Sequence, residues 1–143
     1  MKLLKTFLRM PLKQKLMIPR IFWLMAFYKH QVHRRAFSSL APKIGPLHYQ
    51  TPVAASPRDA ILVHELMQAM FRRFGWKDSC LIRGLTAKRI LNSMGHKCTL
   101  YMGVCREEGQ GMRAHAWLRC GKCIVTGGDA MAGFTVTATF GDP

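Results

Sequence analysis

Residues 80 to 91 have the sequence Cys80-Leu81-Ile82-Arg83-Gly84-Leu85-Thr86-Ala87-Lys88-Arg89-Ile90-Leu91. This run predicts a helix that follows the polar pair Asp78-Ser79 and has Cys80 at its start. At a helix start, the macrodipole and the free backbone N–H groups stabilise a thiolate, which is the nucleophilic form of cysteine. Cys80 is therefore a candidate nucleophile.

A histidine with matching chemistry follows further along the chain. His115 lies in the segment Arg113-Ala114-His115-Ala116-Trp117-Leu118, which has the composition of a strand. Either residue alone is ordinarily structural, because a free cysteine behaves as a small apolar side chain and most histidines are simply hydrogen-bonded. A cysteine on a helix start followed by a histidine on a strand indicates a thiol hydrolase.

The order of the predicted elements favours an α+β fold. Apolar periodicity predicts a helix over 57–74, with Ser56 as its cap, and the helix of Cys80 over 79–94, ended by Gly95. Strands are then predicted over 97–105, 112–120, 122–127 and 134–140. Helices followed by an antiparallel meander predict helices packed on one sheet.

Proline density predicts the domain organisation. Residues 41–57 contain four prolines, which predicts an extended linker. We therefore expect a basic apolar N-terminal helical arm and linker over 1–56 and a catalytic domain over 57–143.

The charge of the chain is concentrated in that arm. The 143 residues carry 22 Lys and Arg against 7 Asp and Glu, a formal net charge of +15. No acidic residue precedes Asp59. Such a balance is typical of proteins that bind nucleic acid or an anionic membrane surface, but its uneven distribution assigns the basic character to the arm. We expect no nucleic-acid partner.

The middle of the arm, residues 16–28, is apolar except for Arg20. It is shorter than the ~20 residues that span a bilayer, and no small-residue cleavage site follows it, so it does not resemble a secretory signal. We predict a helix that packs on the domain or on a partner protein, with attachment to a membrane surface through Phe22, Trp23 and Phe27 as the alternative. Pro19 and Arg20 interrupt a smooth membrane-lying helix and favour the partner.

Five cysteines and the apparent lack of an export signal predict reduced thiols in the cytoplasm. The pair Cys120 and Cys123 has the spacing of a zinc knuckle, but a structural zinc site needs a second ligand pair, and Cys98 and Cys105 are too widely spaced. A hairpin explains the spacing instead. We expect neither a metal nor another cofactor.

Several spaced motifs resemble one known family, the leader-peptidase proteins of lasso-peptide biosynthesis, a transglutaminase-like branch of the papain-type cysteine proteases. The resemblance is close from Trp76 to Phe140. It rests on Gly75-Trp76-Lys77-Asp78-Ser79-Cys80-Leu81-Ile82-Arg83, Leu91-Asn92-Ser93-Met94-Gly95, Tyr101-Met102-Gly103-Val104, Ala114-His115-Ala116-Trp117 and Val125-Thr126-Gly127-Gly128.

The resemblance implies a cysteine peptidase that cleaves the leader from a ribosomally made precursor peptide, with Cys80 as nucleophile and His115 as base. It also implies a separate leader-binding recognition protein as partner. We expect the arm to dock on that protein, on the ring-closing lasso cyclase or on the inner face of the membrane.

The third member of the triad follows by elimination. Downstream of His115 the only carboxylates are Asp129 and Asp142. Asp142 is next to last and predicted to be frayed, so Asp129, after the Gly127-Gly128 turn, is the predicted residue that orients the imidazole. The backbone N–H of Cys80 is the expected oxyanion donor.

Two other function classes remain open at this point. The same Cys80 and His115 could serve a transglutaminase-like acyltransferase or transamidase, which transfers the acyl group to an amine instead of water. The fold could also be a non-catalytic membrane or nucleic-acid binding module. The products formed from a precursor peptide distinguish the first class from the peptidase, and the reactivity of Cys80 distinguishes the second.

Overall fold

The computed structural model describes residues 2–75 and 79–143. Asp78, which was expected to precede the helix of Cys80, lies outside the described residues. Within them the chain forms helices, strands and one 3₁₀ turn with these bounds: α1 Lys2–Arg9, α2 Leu12–Arg34, α3 Phe37–Ile44, α4 Arg58–Phe74, α5 Cys80–Ser93, β1 Cys98–Glu107, β2 Gly111–Cys120, β3 Cys123–Thr126, the 3₁₀ turn Gly128–Gly133 and β4 Thr135–Gly141.

The two helices predicted from periodicity are confirmed. α4 ends at Gly75, whose left-handed backbone (φ 60°) closes the helix. Its predicted cap is wrong, because Pro57 directly precedes the helix and no side chain caps it. α5 has a true cap: the Ser79 hydroxyl accepts a hydrogen bond from the Ile82 N–H at 3.3 Å. This cap fixes Cys80 as the first residue of α5.

The sheet is antiparallel, with strand order β3-β2-β1-β4. The first three strands form the predicted meander, but β4 does not continue it. It pairs instead with the far edge of β1, after the 3₁₀ turn carries the chain across the sheet. β3 has only four residues whereas β1 has ten, so the edge of β1 offers the longer row of backbone partners.

α5 is the central layer of the molecule. It packs on β1, β2 and β3 on one side and on α2 on the other, so most of its residues are buried. Gly84 permits the close approach to β1, since a Cβ there would lie 2.6 Å from the Leu100 side chain. The helix that carries Cys80 is thus held from two sides.

The predicted N-terminal arm contributes to the same core. α2 buries Met17, Ile21, Leu24 and Met25 in one cluster with side chains of α4, α5 and the sheet. It runs through Pro19 without a break. Packing by Met17 and Ile21 on either side offsets the backbone hydrogen bond that a proline removes. The expected interruption at Pro19 is therefore wrong.

The linker prediction is partly wrong. Residues 41–44 belong to α3, which contains Pro42 near its end. After Gly45 the chain is largely extended, with isolated bridges from Leu47 and Tyr49 to Phe140. No helix within the described ranges is both long and apolar enough to cross a membrane.

The carboxyl terminus is not frayed. The Asp142 carboxylate accepts hydrogen bonds from Lys88 Nζ at 2.5 Å, Asn92 Nδ2 at 2.6 Å and the Cys98 N–H at 2.8 Å. Its backbone exchanges further bonds with Thr51 and Cys98. Asp142 therefore joins the last turns of α5 to β1, and its role is structural.

Candidate active site

Cys80 lies where the start of α5 meets the middle of β2. The Cys80 side chain is half-buried, and its Sγ accepts a hydrogen bond from the Ala116 N–H at 3.3 Å. Ala116 directly follows His115. β3 pairs with β2 only from Leu118 to Cys120, so the sulfur occupies the edge of β2 beyond the end of β3. The fold thus brings the predicted nucleophile and base into one neighbourhood.

The hydrogen bonding of His115 selects its tautomer. Its Nε2 lies 2.7 Å from the Gly127 carbonyl oxygen. A carbonyl oxygen can only accept, so Nε2 carries the hydrogen and the Nδ1 of the neutral ring keeps its lone pair. Nδ1 is then the nitrogen that can receive a proton. The neutral His115 ring therefore has the form of a general base.

Aromatic side chains hold the imidazole ring in place. The centroid of the Phe134 ring lies 5.0 Å from that of His115, and the Trp117 ring lies at 5.9 Å with an interplanar angle of 25°. Gly103, the register partner of His115 on β1, leaves space for them. A Cβ on Gly103 would approach both Trp117 and Phe134 to about 3 Å. The ring is therefore restrained by packing as well as by its hydrogen bond.

Gly127 supplies the orienting carbonyl from a left-handed backbone position. It precedes the 3₁₀ turn with φ 74°, a conformation that favours glycine. A Cβ there would lie 2.4 Å from the Ala116 carbonyl oxygen. Only glycine fits this close approach, and the approach sets the position of the oxygen that accepts from His115.

The structure does not bring Asp129 to the imidazole. Asp129 lies in the first turn of the 3₁₀ helix with its side chain exposed, and it forms no hydrogen bond or ion pair with the described residues. The position beside His115 Nε2 is filled by the Gly127 carbonyl. Asp142 is at the opposite end of α5, about 18 Å along the helix axis from Cys80.

The other cysteines lie outside this neighbourhood. All five are free. Cys98, Cys120 and Cys123 face one another across β1, β2 and β3. A hydrogen bond with Cys120, together with burial, raises the pKa of Cys98 above that of an ordinary thiol, and burial also raises the pKa of Cys123. These two thiols are therefore poor nucleophiles near neutral pH.

No metal site appears in the described part of the chain, where no three His, Cys, Asp or Glu side chains are placed to share an ion. The spacing of Cys120 and Cys123 reflects the predicted hairpin, whose turn is closed by Gly121 with φ 59°. Cys120 directs its thiol to the Lys97 carbonyl oxygen at 3.6 Å. The zinc-knuckle spacing thus has a structural explanation.

A second histidine is also paired with a carbonyl. His64 on α4 is half-buried, and its Nδ1 lies 2.9 Å from the Val125 oxygen. This bond joins α4 to β3, and His64 has no cysteine among its hydrogen-bond partners in the described residues. It is a structural histidine and a natural control for His115.

Sequence inspection missed the Gly127 carbonyl and Phe134. A backbone oxygen carries no side-chain signature, so only the Gly127-Gly128 pair itself hinted at a special backbone position. Phe134 reaches His115 because β4 lies beside β1. No local pattern predicts that pairing.

The comparison with known protein families concerns the fold of the chain as a whole. The protein family described as the transglutaminase-like superfamily matches residues 27–139. The matched range contains Cys80, His115 and Gly127, and it also takes in the last part of α2. No curated protein and no solved structure gives a match. The match extends over most of the chain, which therefore belongs to the transglutaminase-like superfamily.

Proposed function

We propose that this protein is a cysteine peptidase that cleaves the leader peptide from a ribosomally made precursor during lasso-peptide maturation. The superfamily includes cysteine proteases, which supports the reaction class. One observation carries the proposal: Cys80 Sγ is bound at Ala116 N–H, next to a histidine whose Nε2 is already occupied by a carbonyl. His115 Nδ1 is thereby available as the base.

The reaction proceeds through an acyl-enzyme. His115 Nδ1 takes the proton of the Cys80 thiol, and the sulfur attacks the carbonyl carbon of the scissile peptide bond. The protonated imidazole then gives this proton to the leaving amine. Water, activated by the same nitrogen, hydrolyses the thioester and releases the leader with a free carboxylate.

Charge on the tetrahedral intermediate requires hydrogen-bond donors. The first backbone N–H groups of a helix have no partner within that helix, and Ser79 occupies the N–H of Ile82. The Cys80 N–H is thus a suitable oxyanion donor at the positive end of the helix dipole.

The Gly127 carbonyl takes the part of a third catalytic group in this scheme. It stabilises the Nε2–H tautomer, and the dipole of the carbonyl supports the imidazolium that forms during attack. The prediction that Asp129 has this function has no support from the contacts of the described residues. Replacement of Asp129 decides between the two groups.

The leader of a lasso-peptide precursor is the proposed substrate because the spaced motifs around Cys80, Asn92, Gly103, His115 and Gly127 resemble those of the leader peptidases. A separate leader-binding protein is the proposed partner. By holding the leader close to Cys80, it raises the effective concentration of the cleavage site. We expect weak cleavage by the protein alone and strong stimulation by that partner.

The test is incubation of the full chain with a lasso-peptide precursor, with and without the leader-binding protein, followed by mass spectrometry. A leader fragment with a free carboxylate supports the peptidase. A crosslinked product, or an adduct when a primary amine is added, supports the transamidase instead. Cys80→Ala should abolish either product, whereas Cys105→Ala, which removes another half-buried thiol, should leave the rate within about twofold.

A further inference from the structure

The solvent face of α2 carries a continuous apolar stripe. Leu12, Leu16, Trp23 and Phe27 are 70%, 63%, 65% and 40% exposed. Their spacing of four, seven and four residues places them on one side of the helix, within an arc of about 60° and over about 22 Å of its length. Exposed apolar side chains are ordinary when scattered, but a stripe of this length marks a contact surface.

This stripe is not part of the folded core. The side chains of α2 that enter the core, Met17, Ile21, Leu24 and Met25, lie on the opposite face of the helix. Trp23 and Phe27 stack on one another at 5.5 Å with an interplanar angle of 11°. The stripe therefore presents an ordered aromatic pair to solvent without a folding role.

Cations surround a cavity at the carboxyl-terminal end of the stripe. This cavity, of about 330 Å³, has Trp23 and Phe27 in its wall and contains Arg35, Lys43 and Arg89. These three cations form no ion pair with the described residues, and no carboxylate lines the cavity. Its fourth cation, Lys88, is paired with Asp142. The cavity therefore combines an apolar wall with uncompensated positive charge.

The wider charge distribution matches the same kind of ligand. The first 43 residues contain ten Lys and Arg and no Asp or Glu. α1 adds exposed Leu4 and Leu8 beside its basic residues. An apolar face of Leu, Phe and Trp with basic flanks is the composition of helices that lie in the interface of an anionic membrane. A nucleic acid would use the positive charge but not the leucines.

We infer that α2 docks this protein on a bilayer that contains anionic phospholipids. The stripe enters the boundary between headgroups and acyl chains, and Arg35, Lys43 and Arg89 bind a lipid phosphate at its end. The unbroken course of α2 through Pro19 gives the surface the continuity that the sequence did not predict. The inference does not depend on the proposed peptidase activity.

Flotation of the full chain with vesicles tests this inference. We expect binding to vesicles of phosphatidylglycerol and phosphatidylcholine, little binding to pure phosphatidylcholine, and weaker binding at higher salt. Trp23→Ser combined with Phe27→Ser should weaken partition into the anionic vesicles by about tenfold or more, because two aromatic side chains leave the interface. The single variant Trp23→Ser is compared with Val53→Ser as its control. Val53→Ser replaces an equally exposed apolar residue (64%) outside the stripe.

The cavity has its own control. Arg35→Gln, Lys43→Gln and Arg89→Gln together should reduce binding to anionic vesicles more than Arg58→Gln, Arg72→Gln and Arg73→Gln, which remove the same charge from α4. Equal losses would overturn the lipid site at the cavity. Failure of the wild-type protein to bind anionic vesicles would overturn the whole inference. The inference would also be overturned if the double variant of Trp23 and Phe27 bound anionic vesicles as well as the wild type does. That result, together with dissociation of a dimer by the same variant, would assign the stripe to contact between two copies of the chain.

Discussion

The two ends of α5 are built for different purposes. At the carboxyl-terminal end, Lys88, Asn92 and the Cys98 N–H all bond one carboxylate, Asp142. Nearby, Asp59 binds both Lys13 and His96. At the amino-terminal end, the Cys80 Sγ accepts a hydrogen bond from the Ala116 N–H of β2. One end locks the helix into the fold, and the other carries the proposed nucleophile.

The difference shows how one helix separates stability from chemistry. Charged groups at the locked end satisfy one another, so removing one leaves a buried partner without compensation. Cys80 has one hydrogen-bond partner among the described residues, the uncharged Ala116 N–H, so its replacement should reduce activity and cost less stability than the loss of a charged partner. The following predictions test this separation, from the largest expected effect to the smallest.

Removal of the proposed base should have the largest effect. His115→Ala eliminates the proposed proton acceptor and should reduce the cleavage rate by about a thousandfold. His64→Ala is the matched control, since His64 also pairs with a backbone carbonyl. It should lower the melting temperature and leave the rate per folded molecule nearly unchanged. Equal rate losses in the two variants would contradict the site.

Disruption of the contacts at the carboxyl-terminal end of α5 should instead lower stability and leave the reaction rate unchanged. Asp142→Asn removes the counter-charge of Lys88, whose side chain is only 5% exposed. We expect the free energy of unfolding to fall by about 3 kcal/mol, with kcat preserved under conditions where the variant is folded. Asp129→Asn makes the same change at an exposed site and should alter stability by less than about 0.5 kcal/mol. Chemical denaturation of both variants measures the contrast.

Replacement of Gly127 should affect both the stability of the protein and the rate of the reaction. Gly127→Ala forces a side chain into a left-handed backbone position 2.4 Å from the Ala116 oxygen. We expect a stability loss of about 2 kcal/mol together with a slower reaction, because the carbonyl that orients His115 must move. Gly109→Ala is the control: its φ is 78°, but nothing lies within 4 Å of the added Cβ. A Gly127 variant no more affected than the Gly109 variant would remove the orienting role.

A smaller effect on stability should appear at acidic pH, at the carboxyl-terminal end of α5. Hydrogen bonds from Lys13 and His96 lower the pKa of Asp59 below its ordinary value. The folded state therefore binds this proton less readily than the unfolded state. The resulting stability is present above the ordinary pKa of about 4 and is lost as the pH falls through the lower folded value. Asp59→Asn should reduce the acid dependence of the melting temperature, and salt should weaken the effect in the wild type. An identical pH profile in the variant would contradict it.

Asp129 should give the smallest effect on the reaction. Because its carboxylate is exposed and the Gly127 carbonyl occupies His115 Nε2, Asp129→Asn should change kcat by less than about threefold. A large loss in steady-state assays would instead restore Asp129 as the orienting group.

The contrast between the two ends also explains what the sequence could predict. Local patterns predicted α4, α5, the four strands and the positions of Cys80 and His115, because periodicity and caps act within a few residues. The bonds of Asp142, the pairing of β4 with β1 and the contact of Phe134 with His115 join residues far apart in the chain. The next-to-last position of Asp142 predicted fraying, and only the folded structure shows that Lys88 pairs with Asp142.

The reactive end is tested most directly by the rate at which each thiol is alkylated by iodoacetamide near neutral pH, with the modified residues identified by mass spectrometry. This measurement needs no substrate, and Cys105, also half-buried, provides an internal reference. We predict that Cys80 reacts first, at least about tenfold faster than Cys105, and that His115→Ala removes most of this advantage. If Cys80 is inert, or reacts equally fast without His115, the proposed nucleophile and base are contradicted.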